Sequence, residues 1–253
     1  MTAKILYIDI ETTPNVVFTW GLFKQNIALN QIVTPGGTLC FAARWGHEKL
    51  SDYHFYSIRD EDGGEDVMVQ AAWDLLDEAD IIVHFNGTSF DLPTLNKEFV
   101  LRGMTPPSPY KQVDLYRVVR SNFRFVSNKL DFVSQQLGLG SKISHKGMDL
   151  WRDCMAGLPA AWKVMKRYNI QDVKLLPKLY KVLVPWVKTH PNMALYVEDA
   201  SKPTCRNCGG THLHKRGIER TNVVTYQRFK CTDCGWNGRG RKRLEKPQDG
   251  VLA

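Results

Sequence analysis

Short apolar runs separated by polar breaks dominate the first part of the chain. Residues 4–10 are apolar on both faces, a pattern typical of a strand in the middle of a sheet. Further strands are predicted at 38–45, 53–58 and 80–85. The segment 111–116, which follows a proline-rich loop, is predicted to be another strand.

Helical periodicity appears between and after these strands. It predicts helices at 65–78, 89–103, 129–137 and 160–183. Pro93 falls near the start of the second helix, where its missing N–H leaves no hydrogen bond unmade. Strands that come first and then alternate with helices predict an α/β fold, a mixed sheet flanked by helices.

The stretch 185–202, which has a mixed composition and contains Pro185 and Pro191, is predicted to be a linker region. We expect one α/β domain over 1–190 and a small second domain over 203–243. Residues 244–253 are expected to form a flexible tail.

Composition agrees with this two-domain arrangement. A chain of 253 residues with 43% hydrophobic residues can bury one sizeable core and carry a small appendage. The N-terminus enters a strand without a signal peptide, which predicts an intracellular protein, in the cytoplasm or in the host cytoplasm if viral. The longest uncharged stretch, 25–43, contains proline and glycines that a lipid-spanning helix would not tolerate, so no membrane association is expected.

Positive charge is concentrated at the C-terminal end. Residues 201–253 contain 12 Lys and Arg against 4 Asp and Glu, and this excess of 8 equals the whole formal net charge of +8. A basic module beside a neutral one is typical of a protein with a polyanionic partner, usually nucleic acid. A solvated charged tail is the alternative.

Three carboxylates follow the ends of strands predicted to be neighbours. Asp9 and Glu11 are two residues apart, so both project to the same side of the first strand. Asp91 follows the strand at 80–85, and Gly87 permits a tight turn that returns it to the same edge. Close carboxylates repel one another unless a divalent cation lies between them. A polar strand end and a helix cap are the competing interpretations.

Tyr168 and Asp172 lie four residues apart in the last predicted helix. This spacing places the phenol and the carboxylate on one face. A tyrosine at such a position is also common for packing alone.

The combination resembles a known family. Asp9-Ile10-Glu11-Thr12, then Asn86-Gly87 with Phe90-Asp91, then Tyr168 with Asp172 resemble the three motifs of the DEDDy 3′→5′ exonucleases. The resemblance covers about the first 180 residues and is closest to the proofreading domain of family B DNA polymerases. It implies a ribonuclease-H-like fold. The sister group has a histidine five residues before the last aspartate, where this chain has Arg167.

The resemblance also implies a mechanism with two Mg²⁺ or Mn²⁺ ions. Asp9 would bridge both ions, Glu11 and Asp172 would complete the site at which water is activated, and Asp91 would support the second ion. Tyr168 would orient the water through a hydrogen bond, because an unperturbed phenol titrates near 10 and is a poor base at neutral pH.

Four cysteines form two matched pairs in the C-terminal module. Cys205 and Cys208, and then Cys231 and Cys234, are each followed directly by a glycine, as in the knuckles of a zinc ribbon. The spacing predicts one structural Zn²⁺ held by four thiolates. His212 and His214 are alternative ligands.

The same module carries aromatic and basic side chains suited to nucleic acid. Bases can stack on exposed aromatics and phosphates can pair with arginine and lysine, although the aromatics could equally pack into the small ribbon core. The candidate contacts, together with Asn86 of the first domain, are Tyr226, Arg228, Trp236, Arg239, Arg241, Lys242 and Arg243.

The sequence therefore predicts a 3′→5′ exonuclease whose zinc ribbon holds the polynucleotide. DNA is favoured over RNA as the substrate, and replication or repair proteins are candidate partners. Two alternatives stay open at this point. One is an exoribonuclease that trims RNA ends, and the other is a catalytically silent nucleic-acid-binding adaptor.

Overall fold

The computed structural model describes residues 2–49, 51–197 and 202–244. The chain divides into two compact units, one formed by Lys4–Leu179 and the other containing the residues from Tyr180 onward. Part of the predicted tail, residues 245–253, lies outside the described residues. Within the part of the chain that the structure describes, no helix is both long and apolar enough to cross a bilayer.

The first unit is built on a five-stranded sheet with the order β5-β4-β1-β6-β7. The strands are β1 (Ile5–Thr12), β4 (Thr38–Trp45), β5 (His54–Ser57), β6 (Ile81–His84) and β7 (Lys111–Asp114). β1 pairs antiparallel with β4 and parallel with β6, so the sheet is mixed, as predicted. The chain between β1 and β4 forms a separate pair of short strands, β2 (Val16–Val17) and β3 (Ile32–Thr34). The sequence analysis did not predict this pair.

Helices flank this sheet. They are α1 (Gly64–Glu78), α2 (Asp91–Leu101), α3 (Leu115–Asn122), α4 (Leu130–Gln136), α5 (Met148–Met155) and α6 (Pro159–Leu183). Two differ from the sequence prediction. The strand predicted at 111–116 ends at Asp114, because the Asp114 side chain accepts hydrogen bonds from the backbone N–H groups of Tyr116 and Arg117 and so caps α3. α5 was not predicted from the sequence, and it is only eight residues long.

The two faces of the sheet bury different side chains. Leu6, Ile8 and Ile10 of β1 pack with the buried faces of α1 and α2. On the other face, Leu39 and Cys40 of β4 pack with Trp162, Met165 and Tyr168 of α6. Because successive strand residues alternate between faces, Asp9 and Glu11 are directed toward the α6 side.

The second unit contains a three-stranded antiparallel sheet. Its strands are β8 (Leu213–Arg220), β9 (Thr225–Cys231) and β10 (Asn237–Arg243), with β9 in the middle. The alternating residues 223–230 predict one of these strands, β9, whereas no pattern was recognised for β8 or β10. Two 3₁₀ turns, Val184–Trp186 and Met193–Tyr196, precede this sheet in a segment that the sequence suggested was a linker.

Candidate active site and cysteine centre

Asp9 and Glu11 lie on β1, the middle strand of the sheet. Opposite them on β4 are Ala42 and Cys40, whose small side chains leave room above the sheet. The space is closed by α6, from which the Asn169 side chain donates hydrogen bonds to the Asp9 backbone oxygen at 3.1 Å and to Asp9 Oδ2 at 2.8 Å. The strand and the helix are therefore fixed to one another at the first carboxylate.

Asp172 joins Asp9 and Glu11 one helical turn further along α6. Carboxylate oxygens of these three residues all lie within 4.8 Å of one another. Asp172 is completely buried, and its Oδ1 has no hydrogen-bond partner. A buried carboxylate oxygen without a donor costs free energy unless it binds a cation.

Burial and mutual repulsion disfavour the charged forms of these carboxylates. Burial raises the pKa of Asp9 well above its ordinary value, and the nearby charges of Asp172, Asp91 and Glu11 raise it further. The same causes, burial first, raise the pKa of Glu11 to about 8. Burial also raises the pKa of Asp172, although Lys142 opposes the shift.

Asp91 lies at the edge of this cluster, as the first residue of α2. Its Oδ1 accepts a hydrogen bond of 3.1 Å from the backbone N–H of Ile10, the residue between the two carboxylates of β1. Burial raises the pKa of Asp91 to about 7, and the Ile10 hydrogen bond limits that rise. Asp91 is not among the three residues whose oxygens lie within 4.8 Å of one another.

The loop between β6 and α2 places Asn86 beside the carboxylates. Asn86 adopts a positive φ of 70°, and its backbone N–H donates to Asp114 Oδ1 at 2.9 Å. Gly87 donates to His84 Nδ1, and a Cβ on Gly87 would lie 2.6 Å from the His84 ring. Asp9, Asn86 and Lys142 help to line a cleft of about 600 Å³, together with Phe85 and Tyr116.

Tyr168 is packed against three neighbours near the cluster. Its ring makes edge contacts with His145 and Trp151, at centroid separations of 4.8 and 6.1 Å. Its hydroxyl accepts a hydrogen bond of 3.2 Å from Lys142 Nζ. Burial, then the charges of Asp172 and Glu11, raise the pKa of Tyr168. The phenol is therefore neutral at physiological pH.

Two residues of the site were missed by the sequence analysis. Lys142 lies in the loop between α4 and α5, and no local pattern marks it. Although burial lowers the pKa of Lys142, the carboxylates of Asp172 and Asp9 hold it above its ordinary value. Asn169 could have been found, because it precedes Asp172 by three helical residues and so shares its face.

The donor set fits a hard divalent cation. Three convergent carboxylates, one of them with a buried oxygen lacking a donor, supply the oxygen ligands that Mg²⁺ and Mn²⁺ prefer. Lys142 offsets only part of this negative charge, since the pKa of Asp9 and that of Glu11 stay raised beside it. Of the four carboxylates predicted as ligands, Asp9, Glu11 and Asp172 are therefore suitable in type and arrangement, and Asp91 lies outside this group.

The four cysteines of the second unit also converge. Their sulfur atoms lie within 4.8 Å of one another, with Sγ–Sγ distances of 3.7 Å for Cys205–Cys234 and for Cys208–Cys231. Two thiolates on a tetrahedral zinc ion, each with a Zn–S bond of about 2.3 Å, lie about 3.8 Å apart. The arrangement fits one zinc ion held by four thiolates. His212 is instead hydrogen-bonded to Asp233 at 2.8 Å.

The predicted nucleic-acid contacts of the ribbon divide into two groups. One group lines a single groove of the second unit, and its members are Tyr226, Trp236, Arg239, Arg241, Lys242 and Arg243. Arg228 is exposed but is not among the residues that line this groove. A role for these side chains in binding stays a prediction.

Comparisons with known proteins agree with the fold. A search of curated protein sequences finds no match. Among solved structures, the chain is similar to the family B DNA polymerase from the hyperthermophilic archaeon Pyrobaculum calidifontis, with a TM-score of 0.56 and 16% identity. The alignment covers 88% of this chain and 32% of the polymerase, so the chain spans about a third of that protein. The family model for the RNase H superfamily matches residues 6–184, and this protein belongs to that superfamily.

Proposed function

We propose that the protein is a metal-dependent 3′→5′ exonuclease that acts on DNA. The observation that carries this proposal is the convergence of Asp9, Glu11 and Asp172 oxygens within 4.8 Å, at the end of the central strand of an RNase-H-like sheet. Membership of the RNase H superfamily supports a nuclease. The direction and the preference for DNA rest on the resemblance of the three motifs to proofreading exonucleases.

In this proposal the carboxylates of the site bind the metal ions that phosphodiester hydrolysis requires. Asp9, Glu11 and Asp172 would hold two Mg²⁺ or Mn²⁺ ions, with Asp91 supporting the second. When bound, such ions lower the pKa of a water and offset the charge that develops on the departing 3′ oxygen.

The hydroxyl of Tyr168 can orient a water molecule. Lys142 Nζ donates to the phenolic oxygen, and the phenolic O–H lies within reach of the Asp172 carboxylate, so it can donate to a water bound beside that carboxylate. Because the pKa of Tyr168 is raised, the phenol acts by positioning rather than by taking a proton. Asn86 lies on the wall of the cleft and would contact the terminal nucleotide.

The test uses the full-length, zinc-loaded protein and strands of matched sequence in DNA and in RNA. Each strand carries a label at its 5′ end and is incubated with EDTA, Mg²⁺ or Mn²⁺. The proposal predicts a ladder that shortens from the 3′ end, requires a divalent ion and is faster on DNA. Equal or faster cleavage of RNA would exclude the preference for DNA. Discrete 5′-labelled products from cuts within the strand, without a ladder, would exclude an exonuclease.

Variants connect this activity to the carboxylates. Asp9→Asn and Asp172→Asn remove charge with little change of volume and should each lower the cleavage rate at least about 100-fold. Asp74→Asn, on the exposed face of α1, is the matched control and should cleave like the wild type. If both site variants cleaved as fast as the wild type, the reaction would not take place at this site. If the wild type itself cleaved no strand, the adaptor function would replace the nuclease.

A further inference from the structure

The second unit contains a groove that includes none of the carboxylates described above. The groove has a volume of about 1480 Å³, and all of the residues that line it belong to the second unit. Eight of its lining side chains are lysine or arginine and one is a carboxylate, Glu219. Glu219 is already paired with Arg239, at 3.7 Å. The groove is therefore strongly positive.

One wall of the groove is β10. Gly238 and Gly240 alternate along this strand with Arg239 and Arg241. A Cβ on Gly238 would overlap the Trp236 indole, and one on Gly240 would lie 3.1 Å from the Phe229 ring, so aromatic rings cover the glycine side of the strand. Arg239 and Arg241 line the groove together with these two rings.

Arg239 is also held in place by an aromatic ring. Its guanidinium carbon lies 4.2 Å from the centroid of the Tyr226 ring. This stacking holds the Arg239 guanidinium in one orientation. The N–H groups lie at the edge of the guanidinium plane, so the ring does not block them. A preorganised guanidinium loses little entropy when it pairs with a phosphate.

The other wall comes from the segment that the sequence suggested was a linker. Lys188, Lys202 and Arg206 line it. Arg206 is held by a 2.9 Å hydrogen bond to the His190 backbone oxygen, and Asn207 donates to the Val184 backbone oxygen at 2.8 Å. These bonds anchor the cysteine knuckle to residues 184–190, which are therefore a folded part of the unit.

We infer that this groove binds single-stranded nucleic acid, with phosphates paired to both walls. Duplex DNA is usually read by a convex element, such as a helix or a β-ribbon, inserted into its major groove. A concave, basic surface with partly exposed aromatic rings instead fits a flexible strand whose bases can stack. The inference deepens the proposed nuclease function, but binding at the groove is measured without hydrolysis.

The experiment measures the fluorescence anisotropy of labelled single strands of DNA and of RNA with the full-length, zinc-loaded protein. Divalent ions are left out so that no strand is cleaved. Two double variants reverse charge on the two walls, K188E/K202E and R241E/R243E. The control R216E/R220E makes the same charge change on β8 at exposed residues that do not line the groove. Zinc content and circular dichroism establish that each variant is folded.

Each groove variant should bind at least tenfold more weakly than the control at the same salt concentration. The slope of log affinity against log salt should also fall, by about 0.7 for each phosphate contact that is lost. A control that weakens as much as the groove variants would overturn the inference, as would tighter binding of a duplex of the same length. A protein that binds through the groove but cleaves nothing would remove the proposed function and leave this inference standing.

Discussion

Lys142 Nζ lies 2.5 Å from Asp172 Oδ2, so the loop between α4 and α5 is tied to the C-terminal end of the carboxylate site on α6. The contact joins residues 30 positions apart in the chain. It gives the buried carboxylate of Asp172 a partial counter-charge within the protein itself. The same ammonium reaches the Tyr168 hydroxyl, so one side chain contacts two of the predicted catalytic residues.

Replacing Lys142 should weaken the metal-free protein. Lys142→Met removes a charge-assisted hydrogen bond to Asp172, and the free energy of unfolding in EDTA should fall by about 1–3 kcal/mol. Urea denaturation measures this change. Added Mn²⁺ should narrow the difference from the wild type, because the cation offsets the same negative charge. Lys146→Met, an exposed lysine four residues later, is the control and should unfold like the wild type.

Removing the Tyr168 hydroxyl should affect rate more than stability. Tyr168→Phe keeps the ring contacts with His145 and Trp151 but loses the oxygen that Lys142 contacts. We expect kcat to fall about 10-fold to 100-fold with KM little changed, since a misplaced water reacts slowly. Single-turnover and steady-state cleavage of a labelled strand separate the two constants. A rise in KM at unchanged kcat would contradict a positioning role.

Stabilisation by a divalent ion should increase with pH. In the folded protein the pKa of Asp91 is raised to about 7 and the pKa of Glu11 to about 8. In the unfolded chain both carboxylates have their ordinary, lower pKa values. The stability that these groups contribute is therefore present at low pH and is lost as pH rises through the raised values. Divalent cations bind the deprotonated carboxylates. At high pH more of these carboxylates are charged, so a bound cation relieves more repulsion between them.

Melting temperatures with and without Mg²⁺ test this dependence. The increase caused by Mg²⁺ should be small at about pH 5 and clearly larger at about pH 8.5. In Asp9→Asn the increase should be strongly reduced at both values. An increase of the same size across this range would show that these carboxylates do not bind the ion.

Loss of one cysteine ligand should unfold the second unit without removing the first. Cys231→Ser should lower zinc from one ion per chain to none or a weakly held fraction, because four thiolates supply the binding energy. Elemental analysis and limited proteolysis measure zinc content and the integrity of the unit. Cys154→Ser, in the sheet unit, is the control and should retain zinc. A wild-type protein that folds normally without zinc would refute the assignment.

Local pattern determined the elements with strong periodicity. β1, β4, α1 and α6 were predicted close to their observed bounds, and the cysteine spacing predicted the convergence of four sulfur atoms. Asp9, Glu11 and Asp172 came together as the resemblance of the three motifs implied, while strand alternation and helix spacing set the local direction of each side chain. These properties depend on residues near one another in the chain.

Only the tertiary structure decided the features that depend on distant residues. Asn169 contacts Asp9 across 160 positions, and Lys142 enters the site from a loop without any periodic pattern. Residues 184–190, which include the start of the predicted linker, are held by hydrogen bonds from Arg206 and Asn207, and Lys188 among them lines the basic groove. A side chain in an irregular segment is positioned by the surface it packs against, and that surface exists only after the chain has folded.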